Sequence, residues 1–155
     1  MKLYTLFALS FIFLLSSCFR DDDEIDYDNA EDLAFLEENA GREGVTVTES
    51  GLQYRVLEKG EGGEKPTANS EVSVHYTGSL INGEEFNNSY ELEEPATFFI
   101  NRVIYGFAEG LMLMEEGDVY ELVIPAELAY GNNPPGSPIY PGATLIFEME
   151  LIEIL

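Results

Sequence analysis

The side chains that most often perform covalent or acid–base chemistry are scarce in this sequence. His75 is the single histidine and falls on the polar face of a predicted strand, where a histidine is usually structural or exposed. Cys18 is the single cysteine. No glycine-rich phosphate loop follows a strand, and no His/Cys cluster has the spacing of metal ligands. We therefore expect neither nucleophilic nor metal-assisted chemistry, and no cofactor.

A set of aromatic and aliphatic side chains remains as the candidate for a functional site. On periodicity alone this set is a hydrophobic core, because inward-facing aromatic residues normally just pack. The alternative is an apolar binding pocket, which the local sequences around these residues favour. The members of the set come from several predicted strands and one helix: Tyr76, Phe86, Phe98, Val103, Ile104, Phe107, Tyr130 and Phe147.

Alternating hydrophobicity predicts the strand that carries Tyr76. Across residues 71–77, Val72, Val74 and Tyr76 lie on one face and polar side chains on the other. Asn82 and Gly83 then predict a tight hairpin, because both positions of a type I′ turn require positive φ. We expect the returning strand to end at Phe86.

The second half of the chain predicts a helix, two strands and a long loop. Apolar residues at helical spacing predict the helix over 103–114, with Gly117 positioned to end it. Strands are predicted over 120–125 and 144–155. The loop between them, 131–142, contains four prolines, and loops of this length are usually functional. The predicted fold class is α+β, an antiparallel sheet of about five strands with one short helix against its inner face.

Four segments carry a family resemblance. They are VSVHYTGSLINGEEF at 72–86, VIYGFAEGLMLMEEGD at 103–118, IPAELAYG at 124–131 and PGATLIFEMELIEI at 141–154. In this order and at this spacing they resemble the FKBP family of peptidyl-prolyl isomerases, and the resemblance covers residues 50–155. It implies a twisted antiparallel sheet wrapped around a short helix, in agreement with the fold class derived from the hydrophobic pattern.

The resemblance also implies which residues form the active site. The backbone N–H of Ile104 and the hydroxyl of Tyr130 are the expected donors to a substrate carbonyl. Phe98 and Ile139 are implied as weaker, substrate-binding positions. The implied catalytic positions are Tyr76, Phe86, Asn87, Val103, Ile104, Phe107, Tyr130 and Phe147.

Such a lining suits the isomerisation of an X-Pro bond. The barrier of roughly 18–20 kcal/mol arises because amide resonance must be broken, and the twisted transition state has less charge separation than the planar amide. A dry apolar pocket with one or two donors therefore favours the twisted form without a nucleophile. The family often has Trp where this chain has Phe107, Asp where it has Asn87 and an aromatic residue where it has Ala96. We expect the first two changes to lower activity.

The N-terminal residues predict export and a lipid anchor. Residues 1–17 read as a signal peptide, because their apolar stretch is too short for a membrane span of about 20 residues. Residues 15–18 resemble a bacterial lipobox, so Cys18 is the expected lipidation site; the alternative is an uncleaved anchor helix with an incidental cysteine. The acidic residues 21–24 resemble a surface-routing signal, and the alternative is a solvated spacer.

The charge of the chain limits its partners. Thirty acidic and seven basic side chains give a net charge of −23. Such a surface repels nucleic acid and disfavours electrostatic docking on anionic lipid, so membrane attachment would depend on lipidated Cys18.

The predicted organisation is a signal peptide (1–17), a lipidated acidic linker (18–44) and an FKBP-type isomerase domain (45–155). Within the linker, residues 28–40 predict a short helix whose apolar face contains Leu33 and Leu36. This helix is expected to be a tether that docks weakly; the alternative is a dimerisation element.

Two functions remain open at this stage. One is an isomerase that assists folding of exported or cell-surface proteins, with proline-containing unfolded polypeptides as substrates. The other is a low-turnover binding module or chaperone that holds proline segments in the same pocket. In both cases we expect the protein at a bacterial membrane, on the periplasmic side or the cell surface of an outer membrane.

Overall fold

A computed structural model of the protein describes residues 29–92 and 94–155. The predicted signal peptide and Cys18 lie outside the described residues. Among the residues described, no helix is long and apolar enough to cross a membrane. The helices and strands, in chain order, are α1 (Ala30–Ala40), β1 (Val45–Val47), β2 (Gln53–Glu58), β3 (Glu71–Leu80), β4 (Glu85–Asn88), β5 (Ala96–Phe99), α2 (Tyr105–Leu113), β6 (Val119–Ile124) and β7 (Leu145–Ile154).

The strands form one antiparallel sheet in the order β1-β2-β6-β7-β3-β4, and β5 pairs with the other end of β3. The long strands β3 and β7 lie side by side, with Tyr76 opposite Met149 and Gly78 opposite Phe147. Burial alternates strictly along β3, because every second residue faces the core. The α+β class and the inward orientation of Tyr76 are therefore confirmed.

The sheet has more strands than expected: seven in the described residues against about five. Strand β5 was not predicted, because its four residues are too few for a clear alternating pattern. The hairpin is confirmed, but its turn lies one residue earlier than predicted: the Gly83 N–H donates to the Leu80 carbonyl at 2.9 Å, so Ile81 and Asn82 are the central residues. Gly83 follows the turn with a φ of 84°. The returning strand β4 runs on to Asn88 rather than ending at Phe86.

The predicted helix over 103–114 is shorter in the structure. It ends at Leu113, because Met114 has an extended backbone with a ψ of 156°. Gly117 therefore does not end the helix. It lies in the turn before β6 with a φ of 82°, a conformation that favours glycine.

Helix α2 packs very closely on the sheet because it presents glycines to β6. A Cβ atom at Gly106 would overlap Ile124, and one at Gly110 would overlap Leu122. The two missing side chains let the helix backbone approach the sheet, and Phe107 is thereby carried into the space between helix and sheet.

Buried Asp118 fixes the segment that follows α2. Its carboxylate accepts hydrogen bonds from Lys59 Nζ at 2.8 Å, from Gly60 N–H at 2.9 Å and from Glu115 N–H at 2.9 Å. Burial alone would raise the pKa of Asp118, but these donors hold it below its ordinary value. The loop after β2 is thus tied to the turn that follows the helix.

The helix α1 docks through polar side chains. Asp32 is 2% exposed and accepts hydrogen bonds from Tyr140 Oη at 2.7 Å and from Thr144 N–H at 2.6 Å. Asn39, also buried, donates to Gln53 Oε1 at 2.7 Å. The apolar face expected for this helix is wrong at Leu33, which is 55% exposed, because the buried side is set by these hydrogen bonds.

We predict that Asp32→Ala lowers the free energy of unfolding by about 2–4 kcal/mol, because two donors lose their acceptor in a buried place. Alanine is the better helix former, so helix propensity opposes the loss and cannot explain it. Urea denaturation gives the measurement. The matched control is the neighbouring Leu33→Ala, expected to change stability by less than about 0.5 kcal/mol. Equal stability of Asp32→Ala and the wild type would contradict the prediction.

Candidate active site

A pocket of about 620 Å³ opens between the concave face of the sheet and the start of α2. All the residues predicted as catalytic line it, and so does Phe98. The remaining lining residues, which the sequence analysis missed, are Asn101, Arg102, Tyr105 and Ala129. Asn101 and Arg102 belong to a short 3-10 turn between β5 and α2, and no periodic pattern marks such a turn.

Phe107 forms the floor of the pocket and is almost fully buried. Its ring meets three others edge-on: Tyr76 at a centroid distance of 5.6 Å, Phe98 at 5.9 Å and Phe147 at 5.1 Å, with interplanar angles between 80° and 83°. Phe86 meets Phe147 in the same way at 5.7 Å. Edge-to-face contacts are favourable and directional, so each ring holds its neighbours in place.

Gly78 is a residue whose role the sequence analysis did not find. It lies in the middle of β3, and a Cβ atom there would come within 2.8 Å of both Phe86 and Phe147. The rings can lie against the strand only because this position has no side chain. The available signal was a glycine inside a strongly alternating strand, which often marks a close approach.

The polar groups of the pocket are few and uncharged near its floor. Burial raises the pKa of Tyr76, and nearby Tyr130 raises it further. The Tyr76 hydroxyl, like that of any tyrosine, is protonated at neutral pH and can donate a hydrogen bond. Tyr130 lies at the rim and is partly exposed.

Ile104 offers a second kind of donor. It is the N-cap residue of α2, and its carbonyl accepts the Ala108 N–H at 3.0 Å. The N–H of an N-cap residue precedes the internal hydrogen bonds of the helix and has no acceptor within it. Ile104 is also one of the residues that line the pocket.

Ile139 and His75 lie outside the pocket lining, as the sequence led us to expect for His75 but not for Ile139. Ile139, implied as a weaker substrate contact, is buried in the core, where its loop is held by the bond from Tyr140 to Asp32. His75 lies on the other face of β3, where its ring stacks on Tyr90 at 4.5 Å and its Nδ1 is 3.1 Å from Ser89 Oγ. In the described part of the chain, no group of three or more His, Cys, Asp or Glu side chains is placed to hold a metal ion.

Two known protein families match most of the chain. Residues 62–152 match the family described as FKBP-type peptidyl-prolyl cis-trans isomerase. Residues 20–56 match the domain described as amino terminal to FKBP-type peptidyl-prolyl isomerase.

Curated relatives show the same similarity. The chain is 53% identical over 126 residues to the FKBP-type 22 kDa peptidyl-prolyl cis-trans isomerase of Escherichia coli strain K12, covering 81% of this chain and 61% of that protein. It is 44% identical over 121 residues to the outer membrane protein MIP of Legionella longbeachae, covering 78% and 52%. The chain thus spans less than two thirds of the length of these relatives.

Two solved structures share the fold. FkpA from Escherichia coli superposes with a TM-score of 0.76 at 42% identity, covering 81% of this chain and 58% of that one. A peptidyl-prolyl cis-trans isomerase from Pseudomonas syringae superposes with a TM-score of 0.75 at 34% identity, covering 81% and 91%. The expectation of an FKBP-like fold is confirmed.

Proposed function

This chain belongs to the FKBP-type peptidyl-prolyl cis-trans isomerase family, and on that premise we propose that it catalyses cis-trans isomerisation of X-Pro bonds in exported or cell-surface polypeptides. The observation that carries the proposal is the enclosure of Phe107 by three edge-on aromatic rings at the floor of an open pocket. That arrangement provides a rigid apolar surface of a size that suits a proline ring.

The chemistry requires the amide to lose its planarity. Resonance makes the planar amide polar and well hydrated, whereas the twisted amide has less charge separation. Moving the X-Pro bond from water into the aromatic pocket therefore destabilises the ground state more than the transition state. Only interactions that are stronger in the transition state accelerate the reaction, and this difference supplies one.

Three groups of the pocket can donate hydrogen bonds to the bound segment. The Ile104 N–H hydrogen-bonds a substrate carbonyl and fixes the register of the peptide over Phe107. The hydroxyls of Tyr130 at the rim and Tyr76 within the pocket are the remaining donors, since tyrosine is protonated at neutral pH. No nucleophile, metal or cofactor takes part in this scheme.

A second function is favoured by the identity of two lining residues. Phe107 and Asn87 stand where the family often has Trp and Asp, so an indole N–H and a carboxylate are both missing from the pocket. A pocket without them can still bind proline segments while turning them over slowly. The alternative function is therefore a low-turnover binding module or chaperone.

We predict that Phe86→Ala abolishes the acceleration of X-Pro exchange in a short peptide, because the wall formed with Phe147 is lost. Exchange spectroscopy by NMR, with the protein far below the peptide concentration, gives the rate. The far-UV circular dichroism spectrum should remain native. The control is Ile152→Ala in β7, whose side chain is partly exposed and outside the pocket lining, and it should retain the wild-type rate. Retained acceleration in Phe86→Ala would refute this assignment of the site.

We also propose that the protein is exported and anchored by lipid at Cys18, at an outer membrane. The signal-peptide pattern of residues 1–17 and the lipobox-like residues 15–18 support this proposal. One of the relatives carries the name outer membrane protein MIP, which agrees with an envelope location. The net charge of −23 disfavours electrostatic binding to anionic lipid, so attachment would depend on the lipid at Cys18.

The anchor predicts a simple change in fractionation. Cys18→Ser should move the protein from the membrane fraction to the soluble fraction of cells, because lipidation requires the thiol. Ser17→Ala, which keeps a small residue before the cysteine, is the matched control and should remain with membranes. Membrane fractionation of Cys18→Ser equal to the wild type would contradict the lipid anchor.

A further inference from the structure

Arg102 is a basic residue beside the pocket, close before the first turn of α2. It is the last residue of the 3-10 turn between β5 and α2, and it lines the pocket. Among the described lining residues it is the only one with a formal charge at neutral pH. The guanidinium carbon lies 5.1 Å from the ring centroid of Phe99, a distance at which the aromatic face attracts a cation.

The charge of Arg102 stands out against an acidic chain. Arg102 is the only lysine or arginine between residues 66 and 155 of the sequence, and the whole chain carries a net charge of −23. The ion pairs of the described residues engage Arg42, Arg55 and Lys59. Arg102 does not take part in them, so no carboxylate of the described protein neutralises it within salt-bridge distance.

The surroundings of Arg102 form an exposed lip beside the pocket. Tyr105, the first residue of α2, is 79% exposed and also lines the pocket. Asn101 contributes an uncharged amide on the same turn. This lip offers a cation and the exposed ring of Tyr105 to the side chain next to a bound proline, and Phe99, outside the pocket lining, lies under the cation.

We propose that Arg102 makes the pocket select proline segments that carry Asp or Glu beside the proline. This inference rests on the proposed function and names its substrate class. A guanidinium matches a carboxylate with two parallel hydrogen bonds, and its position over Phe99 reduces the freedom that binding would remove.

An acidic protein can still select an acidic peptide at the lip, because salt screens the distant carboxylates of the protein more than it screens a direct contact with Arg102. Charges farther away than the Debye length of about 8 Å are largely screened at physiological salt, whereas a contact at the lip is not. The overall negative charge slows the approach of acidic peptides, and the contact with Arg102 holds them once they arrive. Selection should therefore be visible in the ratio between peptides more than in the absolute rate of any one peptide.

The test compares peptides that differ only in charge. Acetylated, amidated peptides with Glu or Gln directly before proline, and a second pair with Glu or Gln directly after it, are assayed by NMR exchange with the purified full-length protein. The expected ratio of kcat/KM, Glu over Gln, is about twofold to fivefold in favour of Glu in at least one pair, the range of an exposed ion pair. The ratio should decline as salt is raised.

Three variants assign the ratio to Arg102. Arg102→Gln should lower the Glu/Gln ratio of kcat/KM, because the positive charge is lost. Arg102→Lys keeps a positive charge and should retain part of the preference for Glu. Lys65→Gln removes the same charge from an exposed loop and should leave the ratio unchanged. Equal ratios in the wild type and Arg102→Gln, or an equal loss in Lys65→Gln, would overturn the proposal.

The same peptides separate this inference from the proposed function. Acceleration of exchange with no preference for Glu would leave the isomerase proposal intact and overturn the role of Arg102. If no peptide is isomerised, the proposed function fails, and the Kd values from chemical-shift titration of the four peptides then decide the preference. A Kd ratio that does not depend on Arg102 overturns the inference in that case as well.

Discussion

The edge-on packing of Phe107 against Tyr76, Phe98 and Phe147 is the interaction on which the rest of the structure depends. Rings that meet edge-on do not stack face to face. The cluster is therefore packed on its core side and presents an apolar surface on its pocket side. The same contacts join the helix to the sheet. A hydrophobic core and a binding pocket are here two sides of one cluster.

Glycines make that packing possible at both of its borders. Gly106 and Gly110 bring α2 close to β6, which sets the depth of Phe107, and Gly78 lets Phe86 and Phe147 lie against β3. The polar residues act at a greater distance. Asp32 holds the loop before β7 through Tyr140 and Thr144, and Asp118 holds the turn after the helix. These two buried carboxylates are tolerated because each group that contacts them donates a hydrogen bond.

The sequence predicted those features that have a strong local signal. The period-2 pattern of β3 and the Asn82-Gly83 pair predicted the central strand and its hairpin, and the resemblance implied nine of the thirteen residues that line the pocket. The docked side of α1 was not predictable from hydrophobicity, since Asp32 is buried while Leu33 is exposed. The hydrogen-bond partners of Asp32 lie more than a hundred residues away in the chain. Arg102 was missed because an irregular turn has no periodicity and its importance comes only from the pocket beside it.

The most direct test of the proposed function is the refolding of a denatured protein whose slow phase is limited by X-Pro isomerisation, a step that takes tens of seconds or more without a catalyst. Small amounts of the full-length protein are added and the rate constant of the slow phase is measured. An isomerase predicts a rate constant that rises in proportion to the amount added. An unchanged rate constant, together with binding of proline peptides, would contradict catalysis and leave a binding module.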